Sequence, residues 1–225
     1  MGPKLLQPAA VSSLPQPRAI LFDLDGTLVD TMTIFADVAA KVMVRRHGFP
    51  FDYARRRYLE TSGIPFFEQL EVIAPRHDAN ATASAEFEEE KLVATTHVVP
   101  DADTLAALAR LREAGIGVAV SSNNFQDQVD RFAAGCPVPL DLALGFGNGL
   151  AKGESHFEHA CRRFACGRAD LVFVGDSLND AALAKQGQVR FVARLGTFGA
   201  ARFRKAAPEA GQVRRLTELP RLFAR

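Results

Sequence analysis

The chain has 225 residues, of which 48% are hydrophobic and 24% are charged, the balance of a globular protein with enough apolar side chains for a core. Its 27 Lys and Arg and 26 Asp and Glu leave a formal charge of +1, which gives no reason to expect a nucleic-acid or membrane partner. No apolar run approaches the roughly 18 residues of a membrane-spanning helix. Composition therefore argues against membrane-spanning, disordered and nucleic-acid-coating proteins.

The amino-terminal segment precedes the first predicted strand, and the cysteines indicate the redox environment of the protein. Residues 1–18 contain four prolines and little periodicity, and they are predicted to be a flexible leader. Cys136, Cys161 and Cys166 are odd in number and lack the spacing of a disulfide framework or a zinc site. We therefore expect reduced thiols and a cytoplasmic protein.

Short apolar runs alternate with helical patterns from Ala19 onwards. Each run ends at a turn signal and fits a central parallel strand that is buried on both faces. The predicted strands are 19–22, 116–120, 140–144, 171–174 and 189–192. The alternation predicts an α/β fold with a doubly wound, Rossmann-like parallel sheet, whose ligands bind at the carboxyl ends of the strands.

One segment, residues 33–97, breaks this alternation and contains no convincing strand. We interpret it as a helical insertion into an α/β core made of residues 19–32 and 98–225. Gly- and Pro-containing turns divide the insertion into helices. These helices are predicted at 33–47, 52–59, 66–73 and 81–97.

The first strand ends in two carboxylates. In Asp23-Leu-Asp25-Gly-Thr27, strand alternation places Asp23 and Asp25 on one side of the chain, and Gly26 permits the turn that follows. Carboxylates this close repel each other unless a cation or a shared proton compensates, and oxygen ligands suit Mg²⁺. A β-turn with a helix-capping aspartate would give the same pattern, so both interpretations stay open at this point.

Polar residues also follow the other predicted strands. Gly175-Asp176-Ser177-Leu-Asn-Asp180 comes after one strand and opens a helix, where Asp180 could serve only the helix start. Ser121 and Ser122 end another strand, and Lys152 follows a further one. A hydroxyl beside backbone N–H groups can hold a phosphoryl oxygen, and a lysine can neutralise it.

These motifs together resemble the haloacid dehalogenase superfamily. Asp23-x-Asp25-Gly-Thr, Ser121, Lys152 and Gly175-Asp176-Ser-x-x-Asp180 stand in that family's order, and the resemblance covers about residues 19–192. The insertion is similar to the helical cap of subfamily I, which includes phosphoglycolate phosphatases and β-phosphoglucomutases. The resemblance implies an aspartyl-phosphate enzyme with Asp23 as nucleophile and Asp25 as general acid and base.

The remaining roles also come from the resemblance. It implies Mg²⁺ as cofactor, held by the Asp23 carboxylate, the backbone carbonyl of Asp25 and the Asp176 carboxylate. Lys152 would neutralise the phosphoryl group and orient Asp23, and Ser177 and Asp180 would support the site. The expected phosphate-binding residues are Gly26, Thr27, Ser121, Ser122 and Lys152. Gly153 departs from the family, where proline often follows the lysine.

The leading hypothesis is a phosphatase acting on a small phosphorylated metabolite, since the dehalogenases of the family need neither a second aspartate nor magnesium. A phosphomutase of the same fold is the first alternative. A non-catalytic, aspartate-phosphorylated signalling domain is the second, although such domains are about half this length and lack the insertion. The sequence leaves monomer and homodimer both open.

Substrate choice is expected to depend on the insertion. Thr61-Ser62-Gly63, between two of its helices, resembles the cap loop that related enzymes turn toward the site, although a plain helix-breaking turn fits equally well. Several arginines of the insertion could contact an anionic substrate or simply face solvent: Arg45, Arg46, Arg55, Arg56 and Arg57.

Overall fold

A computed structural model describes residues 15–95 and 98–223 of the chain. The predicted leader lies outside the described residues as far as residue 14. From there the chain is attached to the core, because the Gln16 side chain donates to the carbonyl of Ala114 and the Arg18 amide donates to the carbonyl of Asp170.

A parallel sheet forms the centre of the molecule, and the predicted α/β class is confirmed. Its described strands are β1 (Ala19–Phe22), β2 (Gly117–Phe125), β3 (Leu142–Phe146), β4 (Leu171–Gly175), β5 (Arg190–Arg194) and β6 (Gly211–Val213). Their order across the sheet is β3-β2-β1-β4-β5-β6. Strand β6 was not predicted, because three residues at the edge of a sheet leave no apolar run in the sequence.

Helices connect the strands and build the insertion. Their bounds are α1 (Met32–His47), α2 (Phe51–Glu60), α3 (Phe66–Ile73), α4 (Asn80–Ala94), α5 (Ala102–Glu113), α6 (Gln126–Gly135), α7 (Glu154–Phe164), α8 (Leu178–Gln186) and α9 (Ala200–Ala206). The predicted insertion helices fall on α1 to α4 within a few residues. Helix α4 ends at Ala94 rather than His97, and residues 96–97 lie outside the described part of the chain. None of the described helices has both the length and the apolar character needed to cross a membrane.

The sheet is buried on both faces, which explains why its strands are almost continuously apolar. Ile20 and Phe22 of β1 pack into the cluster on one face, whereas Ala19 and Leu21 pack into the cluster on the other. A third apolar cluster, with Phe66 and Phe87 among its members, lies between the helices of the insertion. Burying each of these phenylalanine side chains stabilises the fold by about 1.5–3 kcal/mol.

The register of the central strands positions the polar motifs. Phe22, the last residue of β1, lies between Val120 of β2 and Val174 of β4. The residues that follow these three positions therefore lie together at the carboxyl-terminal end of the parallel strands. The aspartate and serine motifs of the sequence meet at this end of the sheet.

Candidate functional site

Three carboxylates converge where β1 and β4 end. Asp23 follows β1, Asp176 follows β4, and Asp180 lies in the first turn of α8. One oxygen from each lies within 4.8 Å of the other two. The residues are 5%, 2% and 0% exposed, so water cannot screen their charges.

Lys152 is the buried cation of this cluster. Its Nζ lies 2.6 Å from Asp23 Oδ1 and 2.6 Å from Asp180 Oδ1. Gly153, the departure from the family pattern, leaves Lys152 buried all the same. The lysine therefore fixes the Asp23 carboxylate and connects it to Asp180.

The electrostatics of the cluster show an excess of negative charge. Burial, together with Asp180 and Asp176, raises the pKa of Asp23 well above its ordinary value, although Lys152 opposes the shift. Burial and the Asp180 carboxylate raise the pKa of Asp176 to about 7. Burial alone would lower the pKa of Lys152, but the Asp180 and Asp23 carboxylates raise it. A buried set of oxygen ligands with too little positive charge fits a hard divalent cation.

Asp25 has a different environment from the three clustered carboxylates. Its Oδ1 accepts a hydrogen bond of 2.7 Å from the Thr31 hydroxyl, and its Oδ2 accepts one of 2.7 Å from the Asn124 amide. The carboxyl group lines the same cavity as Asp23. Sequence reasoning missed Asn124, because a Ser-Asn run at a strand end is also a common turn.

Hydrogen bonds hold the second acidic motif in a capping box at the start of α8. The Ser177 hydroxyl accepts from the Asp180 amide at 3.0 Å and donates to Asp180 Oδ2 at 2.7 Å. Asp176 accepts from the Thr197 hydroxyl, a partner that the sequence did not reveal. Gly26 is required beside it, since a Cβ at that position would lie 2.1 Å from Asp176 Oδ2.

The two predicted serines point in different directions, as strand alternation requires. Ser122 lines the cavity above the carboxylates, whereas Ser121 is absent from the lining among the described residues. The Ser121 hydroxyl instead lies 2.8 Å from His156 Nδ1, and His156 Nε2 lies 3.1 Å from the carbonyl of Gly145. Thr27 reaches the site through its hydroxyl, which donates to Asp23 Oδ2 at 3.3 Å.

His156 should make stability depend on pH. Burial lowers its pKa from 6.5 to about 4. Its neutral form therefore contributes full stability above about pH 6.5, and this contribution is lost as the pH falls towards 4 and the unfolded chain takes up a proton first. We expect the destabilisation caused by His156→Gln to be smaller by about 2 kcal/mol at pH 5 than at pH 7.5, as measured by urea unfolding. A difference that does not change with pH would contradict the buried neutral imidazole.

The loop between α2 and α3 closes over the site. The carbonyl of Gly63 accepts hydrogen bonds from Asn123 at 3.1 Å and from Asn179 at 2.7 Å. Gly63 has φ +101° and a Cβ there would lie 2.5 Å from Ser177 Oγ, so only glycine allows this contact. Ser62 and Gly63 line the cavity, whereas the Thr61 hydroxyl donates to the carbonyl of Arg57 on the preceding helix, α2.

The result is a cavity of about 150 Å³ between the sheet edge and the insertion. The catalytic candidates form its floor, and the insertion helices form its roof. Two roof residues that sequence reasoning missed are Glu88 and Lys91 of α4. In the sequence they belong to a Glu-rich stretch whose pattern resembles a solvated helix face.

Comparison with known proteins gives a family and a relative named as a phosphatase. The sequence model of the haloacid dehalogenase-like hydrolases matches residues 17–188. A protein of Dickeya dadantii (strain 3937) that carries the name "Probable phosphatase IndB" is 31% identical over 183 residues, which cover 74% of this chain and 76% of that protein.

Solved structures share the fold at lower identity. A haloacid dehalogenase-like family hydrolase from Streptococcus pneumoniae has a TM-score of 0.78 and 17% identity, covering 92% of this chain and 99% of the other. A mutant of CbbY from Rhodobacter sphaeroides, in complex with xylulose-(1,5)bisphosphate, has a TM-score of 0.71 and 18% identity, covering 91% and 96% of the two chains.

Proposed function

The chain belongs to the haloacid dehalogenase-like hydrolases, and from this membership we propose that it is a Mg²⁺-dependent phosphatase of a small phosphorylated metabolite. The observation that carries the proposal is the buried Lys152, which bridges Asp23 and Asp180 on the floor of the cavity. Phosphoryl transfer depends mainly on positioning and on neutralising charge, and this floor offers both.

In the first step, a carboxylate oxygen of Asp23 attacks the phosphorus in line with the leaving group. The bond from phosphorus to the leaving oxygen breaks, and that oxygen keeps the electron pair and takes a proton from Asp25. Lys152 holds Asp23 in the attacking orientation. The product of this step is an aspartyl-phosphate on Asp23 and a free alcohol.

In the second step, water attacks the phosphorus of the aspartyl-phosphate. Asp25, now a carboxylate, accepts a proton from this water as the bond between phosphorus and the Asp23 oxygen breaks. Inorganic phosphate leaves, and both aspartates return to their starting forms. The hydrogen bonds from Thr31 and Asn124 keep Asp25 in one orientation for both transfers.

Ser122 is the better candidate for binding a phosphoryl oxygen, because its side chain lines the cavity. The Ser121 hydroxyl is hydrogen-bonded to His156 and would hold β2 in place beside the site. The phosphate-binding role of Lys152 follows from its ammonium group beside the nucleophile.

The buried carboxylates would hold the metal ion. Asp23 and Asp176 would supply carboxylate oxygens, and Asp25 would supply its backbone carbonyl, as the family resemblance implies. When bound, Mg²⁺ neutralises charge on the transferring phosphoryl group. Asp180 would remain with Lys152 and Ser177 as a supporting residue.

Metal removal provides the test of this proposal. With a panel of phosphorylated metabolites and an aryl phosphate, we expect phosphate release with Mg²⁺ present, and a fall of at least about 100-fold with EDTA. Excess Mg²⁺ should restore the rate. Activity that EDTA leaves unchanged would contradict the metal site. Isomerised sugar phosphate without net phosphate release would overturn the phosphatase in favour of a phosphomutase.

A further inference from the structure

The roof of the cavity is built from aromatic side chains of the insertion. Tyr58, Phe66 and Phe87 line the cavity and contact one another, with ring centroids 5.8, 5.7 and 4.3 Å apart. Phe35 completes the group at 6.2 Å from Phe87. Burial, together with Asp25 and Glu88, raises the pKa of Tyr58, so its phenol stays neutral. Tyr58, Phe66 and Phe87 are 5%, 2% and 2% exposed, so a leaving group above the phosphate would meet only the few ring atoms that reach the cavity.

Positive charge in this roof is already neutralised. The described lining residues include two basic side chains, Lys152 on the floor and Lys91 in the roof, against five acidic ones. Lys91 Nζ lies 2.6 Å from Glu88 Oε2, donates to Asn124 Oδ1 at 3.1 Å, and lies 5.5 Å from the ring centroids of Phe35 and Phe87. A second anionic group on a substrate would have to displace Glu88 to obtain a cation.

The arginines of the insertion do not supply that cation. None of them lines the cavity in the described part of the chain, so, of the two alternatives that the sequence left open, their positions do not support contact with the substrate. Four of them pair with carboxylates elsewhere on the insertion: Arg45 with Glu86 and Glu90, Arg46 with Glu86, Arg55 with Asp37, and Arg57 with Glu60.

We infer that the substrate is a phosphomonoester whose leaving group is uncharged and presents an aromatic or apolar face to the roof residues Tyr58, Phe66 and Phe87. This inference rests on the proposed phosphatase function. It excludes, as preferred substrates, compounds that carry a carboxylate or a second phosphate beside the transferred group. Ring packing would stabilise such a neutral group, whereas a second anion beside the rings would meet Glu88 and a lysine that already pairs with it.

A matched pair of substrates tests the inference. Benzyl phosphate and 2-phosphoglycolate both carry a CH₂–O–P linkage, and they differ in having a phenyl ring or a carboxylate on that carbon. We expect kcat/KM for benzyl phosphate to exceed that for 2-phosphoglycolate by at least about 10-fold. Equal values, or a preference for 2-phosphoglycolate, would overturn the inference and leave the phosphatase intact. If neither compound nor any other phosphomonoester is hydrolysed, the proposed function itself fails.

A substitution in the roof makes the test independent of any difference in intrinsic reactivity between the two substrates. Glu88→Gln removes the carboxylate that pairs with Lys91, so the lysine could pair with the carboxylate of 2-phosphoglycolate instead. We therefore expect the ratio of kcat/KM for 2-phosphoglycolate to that for benzyl phosphate to rise by about 10-fold. Glu89→Gln is the matched control, because Glu89 is exposed and outside the cavity lining. That control should leave the ratio unchanged. A Glu88→Gln ratio equal to that of the control would show that the Lys91–Glu88 pair does not set substrate charge.

Discussion

Replacing Asp23 with asparagine is expected to lower kcat for an aryl phosphate by at least about 10⁴-fold, because an amide oxygen cannot form the aspartyl-phosphate. The neighbouring groups should stay in place, since Lys152 keeps its ion pair with Asp180 in the variant. The loss would therefore report on the nucleophile rather than on the fold. A steady-state assay of phosphate release measures it directly.

The same substitution should preserve or increase the thermal stability of the protein when it is measured without Mg²⁺. Burial and two nearby carboxylates raise the pKa of Asp23, which means that the folded protein destabilises the ionised form. An uncharged asparagine removes that penalty while keeping the shape of the side chain. Asp30→Asn is the matched control, since Asp30 is exposed on the same loop. If Asp23→Asn retained activity close to that of Asp30→Asn, Asp23 would not be the nucleophile.

Replacing Asp25 with asparagine should lower kcat by about 10³-fold through the loss of proton transfer. The Thr31 hydroxyl can still donate to the carbonyl oxygen of the new side chain, which should keep the loop geometry, although the new NH₂ group cannot accept the hydrogen bond from Asn124. With an aryl phosphate, whose leaving group needs little protonation, the first step should suffer less than the second. Rapid mixing should then show a burst of phenol release followed by slow turnover.

The burst separates two explanations for lower activity. A variant that simply binds substrate poorly would raise KM and show no burst. Asp30→Asn again provides the control and should turn over at the wild-type rate. A loss of both steps to the same extent would contradict the assignment of Asp25 as the base for water.

Much of the site could be predicted from the sequence because its residues stand at strand ends. Asp23 and Asp176 each follow an apolar run, and parallel strands bring such positions together whatever the details of the loops. The length of β2 was harder to predict. The strand continues through its polar residues to Phe125, which places Ser122 in the cavity and turns Ser121 towards His156.

The sequence suggests the loop with Ser62 and Gly63, which lines the cavity, but it does not predict which helix residues of the insertion reach the site. Parallel strands bring their carboxyl ends together, whereas no such rule says which face of an insertion helix covers the site. Lys91 lies in a Glu-rich helix, and only the packing of α4 shows that it is buried beside Phe87 and reaches Asn124. Thr197 presents the same difficulty. It lies 21 residues after Asp176 in a loop, and no local pattern connects the two residues.

The location of the phosphoryl group in the Asp25→Asn variant tests the central claim most directly. After brief incubation with an aryl phosphate and Mg²⁺, the variant would be quenched in acid, digested, and its peptides weighed by mass spectrometry. We predict the added mass of one phosphoryl group on the peptide that contains Asp23, sensitive to hydroxylamine as an acyl phosphate is. A phosphoryl group on another residue, or none during a demonstrated burst, would contradict the aspartyl-phosphate mechanism.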